Sequence, residues 1–239
     1  MNPDISVVIP VLNEGAAIES LALQIAAAFD GRAYEMLLVD DASTDDTAVV
    51  LACLRERLPT LRVIRHGRNA GQSRAIRTGV LAARGAIIVT LDGDGQNDPA
   101  DGPRLVARLQ AGPPPLALVS GLRLARQDSL AKRLASRVGN RLRRRLLNDG
   151  AVDTGCGLKA FRREAFLRLP YFDHMHRFLP ALFAREGYQA AYEPVGHRPR
   201  TTGVSKYTNL GRLWVSIPDL FGVMWLASRT RDPGPADEI

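Results

Sequence analysis

Residues 86–99 read AIIVTLDGDGQNDP, an apolar run that ends abruptly in aspartates separated by glycines and amides. The apolar part has the length and continuity of a strand that is buried on both faces. Asp92 and Asp94 follow it with one glycine between them, and two carboxylates so close repel each other unless a counter-charge or water intervenes. A solvated turn would explain an isolated Asp-Gly pair. The rest of the chain decides whether this one is only a turn.

Short, continuous apolar runs alternate with amphipathic segments through the first half of the chain. The predicted strands are 5–12, 35–41, 61–66, 86–92 and 116–121. The predicted helices are 16–29, 45–57, 71–84 and 99–111. Buried strands that alternate with helices predict a mostly parallel sheet with helices on both faces. Right-handed crossovers then make the fold a doubly wound α/β sheet.

Polar side chains collect where three of these strands end. The pairs are Asn13 with Glu14, Asp40 with Asp41, and Asp92 with Asp94. Any one pair has a structural explanation, since Asn13 and Ser43 would suit helix N-caps. In a doubly wound sheet, however, ligands bind beyond the carboxyl ends of the strands. Three polar strand ends at one edge therefore predict a binding site.

The pair Asp92 and Asp94 has the chemistry of a metal site. Gly93 and Gly95 let the chain turn so that both carboxylates face one side. Mg²⁺ or Mn²⁺ takes oxygen ligands and offsets the repulsion, and Gln96 offers another oxygen. Such an ion would neutralise a diphosphate leaving group. The sequence contains no P-loop, no GxGxxG after the first strand and no HExxH or GxSxG motif.

The second half of the chain is strongly basic. The formal net charge is +7, and between Arg123 and Arg145 nine Lys and Arg residues stand against one acid. This excess indicates a polyanionic partner: nucleotide phosphates, nucleic acid or an anionic membrane surface. Apolar residues at every fourth position predict an amphipathic basic helix over 130–147, which suits either a lipid interface or a solvated surface. A second apolar segment, 213–227, is predicted to contact a membrane or a partner, or to close the core.

Cysteine and histidine give weaker signals. Cys53 and Cys156 have no CxxC spacing, and the N-terminus shows no secretory leader, so we expect a cytoplasmic protein. Cys156 is predicted to serve packing rather than catalysis. His174 and His176 could bind a metal, but a histidine pair in a loop is expected to be solvated.

Six segments of the chain together resemble a known family. They are SVVIPVLNE (6–14), LLVDDASTDDT (37–47), RNAGQSRAIRTG (68–79), LDGDGQNDP (91–99), DTGCGLKAFRRE (153–164) and HRPRTTGVSKY (197–207). In this order they resemble the family 2 glycosyltransferases with a GT-A fold. Within that family the chain is similar to the polyprenyl-phosphate glycosyltransferases, the dolichol-phosphate mannose synthase group, over about residues 5–210.

The resemblance implies an inverting transfer of a sugar from a UDP- or GDP-sugar to undecaprenyl or dolichyl phosphate, with Mg²⁺ or Mn²⁺ as cofactor. The residues implied to bind the nucleotide are Pro10, Asn13, Glu14, Asp41, Asn69 and Gly71, with Asp41 near the base or ribose. The implied metal ligands are Asp92, Asp94 and Gln96. The residues implied to hold the acceptor phosphate are Arg123, Arg133 (or Lys132) and Ser136. Arg200 and Lys206 are implied to clamp the donor diphosphate from a mobile loop.

Other functions stay open or are disfavoured. A phosphate acceptor is largely dianionic at pH 7, so it needs arginines for positioning rather than a base. A hydroxyl acceptor, as in cell-envelope polysaccharide synthesis, needs a carboxylate base, and Asp153 is then the candidate. A sugar nucleotidyltransferase is disfavoured because no Gly-rich loop with Arg and Lys follows the first strand. A nucleic-acid-binding module is disfavoured because 123–145 lacks interleaved aromatic residues.

The predicted organisation is a single domain, 1–229, followed by a disordered tail, 230–239. Its nucleotide-sugar half is 1–122 and its acceptor half is 123–229. We expect the protein at the inner face of the cytoplasmic membrane as a peripheral enzyme. Docking on a separate integral membrane protein and assembly into homo-oligomers are left open.

Overall fold

The computed structural model describes residues 3–123, 146, 147, 149–198 and 209–231. For residues 209–216 it describes the backbone only. The strands are β1 (Ile5–Val11), β2 (Tyr34–Asp40), β3 (Leu61–Arg65), β4 (Ile87–Thr90), β5 (Leu116–Arg123), β6 (Lys159–Arg162) and β7 (Gln189–Val195). The helices are α1 (Gly15–Ala28), α2 (Thr47–Arg57), α3 (Gln72–Ala82), α4 (Gly102–Ala111), α5 (Arg163–Arg168), α6 (Leu179–Arg185) and α7 (Asn209–Ser228). Short 3-10 turns lie at Pro99–Asp101 and Met175–Arg177.

These strands form one sheet in the order β3-β2-β1-β4-β6-β5-β7. β1 pairs in parallel with β2 and β4, and β2 pairs in parallel with β3. β5 and β7 are also parallel to each other, whereas β6 runs antiparallel to both β4 and β5. The prediction of a mostly parallel α/β sheet is confirmed.

The composition of residues 153–166 predicts a glycine-rich turn that leads into a helix, and strand β6 shows that this prediction is wrong for residues 159–162. Lys159–Arg162 instead forms a strand in the middle of the sheet, and the helix α5 begins directly after it. Only four residues are extended, and charged side chains occupy both ends. So short a run shows no alternation, and its strand conformation depends on the β4 and β5 backbones on either side.

Two apolar clusters cover the two faces of the sheet. One contains side chains of α1 and α4, such as Ile18 and Leu105, and the other contains side chains of α3 and α6, such as Val80 and Leu182. These four side chains are fully buried, as expected for a sheet with helices packed on both faces. The helices thus fix the carboxyl ends of β1, β2 and β4 along one edge of the sheet.

Helix α7 has one face on the core and one face in solvent. Val223 is 3% exposed and belongs to the cluster around α3 and α6, whereas Phe221 is 64% and Trp225 59% exposed. Among the described residues, no helix is both long enough and apolar enough to cross a bilayer. The predicted basic helix over 130–147 lies outside the described residues, apart from residues 146 and 147, which are helical.

Candidate functional site

A cavity of about 620 Å³ opens at the carboxyl ends of the parallel strands. Its wall includes Asn69 and Gly71 from the loop before α3, Asp92 from the loop after β4, and the segment from Asp173 to Leu179. Lys159 of β6 also lines it. The structure therefore brings three of the predicted site residues, Asn69, Gly71 and Asp92, to one cavity.

The two aspartates after β4 form the acidic part of this edge. Asp92 Oδ1 accepts a hydrogen bond from Gln72 Nε2 at 2.8 Å, and Asp94 Oδ1 accepts one from the backbone N–H of Gln96 at 3.1 Å. Burial raises the pKa of Asp92, and the negative charge of Asp94 raises it further. Its charged form is therefore poorly satisfied by the protein alone, and a cation would stabilise it.

The donor set fits a small divalent cation. Among the described residues, no three acids, histidines or cysteines converge, so the protein side of such a site would be the two carboxylates and the Gln96 amide. Mg²⁺ is commonly held by one or two carboxylates together with substrate phosphates and water. The site requires glycine at position 157, because an added Cβ there would collide with Asp92 Oδ2.

The loop before α3 is held in place by Asp41. Its Oδ1 accepts hydrogen bonds from His66 Nδ1 at 2.7 Å and from the backbone N–H of Ala70 at 2.9 Å, and its Oδ2 accepts one from Gly71 at 2.8 Å. His66 Nε2 continues the network to Thr78 Oγ1 at 2.9 Å. Both carboxylate oxygens of Asp41 thus bind within the protein. The role that the resemblance implies, contact with the base or ribose, stays a prediction.

The junction between β1 and α1 packs against the same edge. Asn13 adopts a positive φ of 52°, donates its backbone N–H to Ser43 Oγ at 2.9 Å and accepts the Thr44 N–H through Oδ1 at 2.7 Å. Neither Asn13 nor Ser43 caps a helix, so that structural expectation was wrong: the N-cap residues of α1 and α2 are Glu14 and Asp46. The side chain of Asn13 instead ties the ends of β1 and β2 together.

Pro10 and Glu14 lie against the loop that carries the aspartates. An ideal Cβ on Gly93 would lie 3.0 Å from the Pro10 carbonyl oxygen and 3.7 Å from Glu14 Cγ. A side chain at position 93 would therefore push this loop away from β1. The close approach joins the predicted nucleotide-binding residues of β1 to the predicted metal ligands.

Asp153 and Arg123 form a bidentate ion pair. Arg123 Nε lies 2.8 Å from Asp153 Oδ2 and Nη2 lies 2.9 Å from Oδ1, which also accepts the Gly155 N–H at 3.1 Å. Burial alone would raise the pKa of Asp153, but the hydrogen bonds and charge of Arg123 outweigh it and hold the pKa below its ordinary value. Asp153 is therefore a poor general base. The role that the resemblance implies for Arg123, contact with the acceptor phosphate, stays a prediction.

The root of the predicted clamp loop lies beside the aspartate loop. The backbones of Asn97 and His197 form an antiparallel bridge, and the Arg198 N–H donates to the Gln96 carbonyl at 2.9 Å. Arg198 Nη2 also lies 2.6 Å from Asp98 Oδ2. The predicted donor ligands Arg200 and Lys206 follow this anchor within a few residues but lie outside the described residues, as do Lys132, Arg133 and Ser136.

The expectation that His174 and His176 are solvated was wrong. His176 Nδ1 lies 2.7 Å from Ser73 Oγ, and burial lowers the pKa of His176 well below its usual value. His174 Nδ1 lies 3.1 Å from Asp219 Oδ2 of α7. The partners are far away in the sequence, so no local pattern could have indicated them.

Cys156, three residues before β6, and Lys159, the first residue of β6, are both buried. Cys156 lies in the core, where burial raises the pKa of its thiol, in agreement with a packing role. Lys159 was not among the residues singled out from the sequence. Its position depends on β6, which the sequence pattern did not indicate.

Comparison with known proteins identifies the family. The model of "Glycosyl transferase family 2" matches residues 6–169.

The chain belongs to glycosyl transferase family 2.

Its membership confirms the predicted class of enzyme, a glycosyltransferase. The chain is 37% identical to the dodecaprenyl-phosphate galacturonate synthase of Rhizobium johnstonii, over 97% of this chain and 69% of that protein. It is also 37% identical to the undecaprenyl-phosphate 4-deoxy-4-formamido-L-arabinose transferase of an Enterobacter species, over 85% of this chain. The chain spans 62% of the length of that second relative.

The fold agrees with a solved structure of another glycosyltransferase. The glucosyl-3-phosphoglycerate synthase from Mycobacterium tuberculosis, in a crystal structure with Mn²⁺, UDP and glucosyl-3-phosphoglycerate, matches with a TM-score of 0.74. The match covers 97% of this chain and 82% of that chain at 24% identity. This similarity confirms the fold of the family 2 chain described here.

Proposed function

We propose that this chain transfers a sugar from a nucleoside-diphosphate sugar to a polyprenyl phosphate, with inversion at the anomeric carbon. The observation that carries the proposal is the Arg123–Asp153 ion pair beside the cavity. It occupies the one carboxylate that the sequence offered as a base for a hydroxyl acceptor. A phosphate acceptor needs no base, because its oxygen is already ionised near neutral pH.

Two relatives of this chain support the same acceptor. One is named for dodecaprenyl phosphate and the other for undecaprenyl phosphate. They differ in the sugar, galacturonate in one and a formamido-arabinose in the other, so they leave the sugar open. The shared acceptor class is the part of their activity that we assign to this chain.

Asp92, Asp94 and Gln96 would hold Mg²⁺ or Mn²⁺. Bound there, the ion supplies positive charge to the diphosphate that leaves from the sugar. The raised pKa of Asp92 supports this assignment, since the site is short of positive charge. Asn69 and Gly71 would line the donor, held in place by Asp41.

A lipid acceptor requires contact with a membrane surface, and α7 offers a suitable face. Ile217, Phe221 and Trp225 recur at every fourth position and are all exposed. A helix with such a stripe can lie in the interface of a bilayer. The net charge of +7 favours a surface of anionic lipids.

The test is transfer of radiolabelled sugar from a panel of UDP- and GDP-sugars to undecaprenyl phosphate in detergent. Wild type and Asp94→Ala are compared, each with Mn²⁺ or with EDTA, and Asp30→Ala, at an exposed turn far from the cavity, serves as the matched control. We expect a lipid-linked sugar that depends on the metal and is lost only in Asp94→Ala. Binding or hydrolysis of the donor with the same metal dependence but without lipid product would refute the acceptor assignment.

A further inference from the structure

Lys159 is a buried cation at the floor of the cavity. Its residue is 5% exposed, and in the sheet it lies opposite Thr90 of β4 and Ser120 of β5. Its Nζ donates a hydrogen bond to the carbonyl oxygen of Cys156. Within the described residues, no carboxylate lies at ion-pair distance from this ammonium. The cavity is the open space beside it.

An unpaired buried ammonium is unfavourable. Transferring a charge out of water costs several kcal/mol unless an opposite charge and hydrogen bonds compensate. An ammonium has three N–H donors, and the Cys156 carbonyl uses one of them. A ligand with an anionic group in the cavity would use another donor and supply the missing charge.

Neighbouring acids do not take this role. Asp153 binds Arg123 through both oxygens, and Asp92 is the carboxylate that we assign to the metal. The rest of the cavity wall adds no net charge, because Asp173 and Arg177 lie on the same lining and have opposite charges. Once a metal neutralises the aspartate pair, the interior of the cavity attracts anions.

The position of Lys159 distinguishes the parts of the donor. In the sheet register it lies opposite Thr90, two residues before Asp92, which places its backbone about 6–7 Å deeper along β4. The metal pair at the edge would hold the diphosphate. The group that reaches further into the cavity is then the sugar.

We propose that Lys159 binds the carboxylate of a hexuronic acid, so that the donor is a nucleoside-diphosphate uronate rather than a neutral hexose. The inference rests on the proposed function, because it assumes a nucleoside-diphosphate sugar in this cavity. Recognition is by charge and hydrogen bonding alone, and no covalent step is involved.

Titration calorimetry with Mn²⁺ tests the proposal. The ligands are UDP, UDP-glucose, UDP-glucuronate and UDP-galacturonate, together with GDP, GDP-mannose and GDP-mannuronate. The proteins are wild type, Lys159→Met and, as a control for loss of a cation, Arg55→Met at an exposed position of α2. Urea unfolding of each variant accompanies the titrations.

In wild type we expect a uronate donor to bind at least about tenfold more tightly than the neutral sugar on the same nucleotide. Lys159→Met should weaken the binding of the uronate donor by about a hundredfold, as expected for truncation of one partner of a buried charge pair. The affinity for the free nucleotide should not change. Its resistance to urea should equal or exceed that of wild type, since an unpaired charge is removed. Arg55→Met should change neither property.

Two results would overturn the proposal. One is equal or tighter binding of the neutral sugar by wild type, which decides the question even if Lys159→Met fails to fold. The other is an equal loss of free-nucleotide affinity in Lys159→Met, which would assign the lysine to a phosphate. A neutral sugar passed to polyprenyl phosphate would leave the proposed function intact and remove only this inference. A uronate donor that binds but whose sugar is never transferred would support this inference and refute the proposed function.

Discussion

Replacing Asp41 by asparagine tests whether this residue positions the loop before α3 or contacts the nucleotide. The carboxylate accepts three hydrogen bonds of 2.7–2.9 Å, from His66, Ala70 and Gly71. An asparagine has one acceptor oxygen, so its NH₂ group must face at least one of these N–H donors. A lost hydrogen bond to a charged group costs about 1.5–3 kcal/mol. Because the substitution also leaves one N–H donor unsatisfied, we expect Asp41→Asn to lower the free energy of unfolding by about 2–4 kcal/mol.

The assay is urea unfolding followed by far-UV circular dichroism, with donor-nucleotide affinity measured on the same preparations. His66→Gln is the matched variant, because His66 belongs to the network but is absent from the cavity lining. If Asp41 acts through the loop, both variants lose stability, and both lose affinity because Asn69 and Gly71 shift. An Asp41→Asn protein that unfolds at the wild-type urea concentration but no longer binds nucleotide would refute this reasoning. It would assign Asp41 to direct contact with the base or ribose.

Three further outcomes are expected. Asp153→Ala leaves a buried arginine unpaired and should lower the free energy of unfolding by about 3–5 kcal/mol at pH 7. The folded protein lowers the pKa of Asp153, so the stability that Asp153 contributes is present above the ordinary carboxyl pKa and is lost as the pH falls through the pKa in the folded state. Urea titrations below about pH 4 should therefore give converging free energies of unfolding for wild type and Asp153→Ala. Gly157→Ala displaces the carboxylate that follows β4 and should weaken metal-dependent donor binding about tenfold or more in calorimetry, whereas Gly222→Ala, with no atom near the added Cβ, should not. Phe221→Asp should reduce sedimentation with anionic vesicles about tenfold or more without changing stability, and the equally exposed Val49→Asp on α2 should leave vesicle binding unchanged.

The sequence was most informative where the signal is local. The strands β1 to β5 and the helices α1 to α4 were predicted to within a few residues, because continuous apolar runs and amphipathic spacing reflect burial directly. The place of Asp92 in the cavity followed from the rule that parallel strands end at one edge, whereas Asn69 and Gly71 were implied only by the family resemblance.

What the sequence did not indicate depends on partners far away in the chain. The strand β6 exists because β4 and β5 lie on either side of it, and the buried lysine at its start follows from that placement. The ion pair between Arg123 and Asp153, thirty residues later, was likewise not indicated by the sequence, and the role of Arg123 toward the acceptor phosphate stays a prediction. The hydrogen bond between Ser73 and His176 joins residues 103 positions apart. His176, which was expected to be solvated in a loop, therefore lies in the cavity wall.

Aspartates at one edge of the sheet differ in what satisfies their charge. The oxygens of Asp41 face backbone N–H groups and a histidine, which stabilise the anion, so that residue needs no ligand. Burial and the charge of Asp94 raise the pKa of Asp92, because Lys159 and Gln72 compensate its anion only in part. Lys159 presents the opposite case in the same cavity, a cation that has no carboxylate at ion-pair distance among the described residues. A ligand that satisfies both must bring a metal-bound diphosphate to the aspartates and a separate negative group to the lysine, and a nucleoside-diphosphate uronate has both on one molecule.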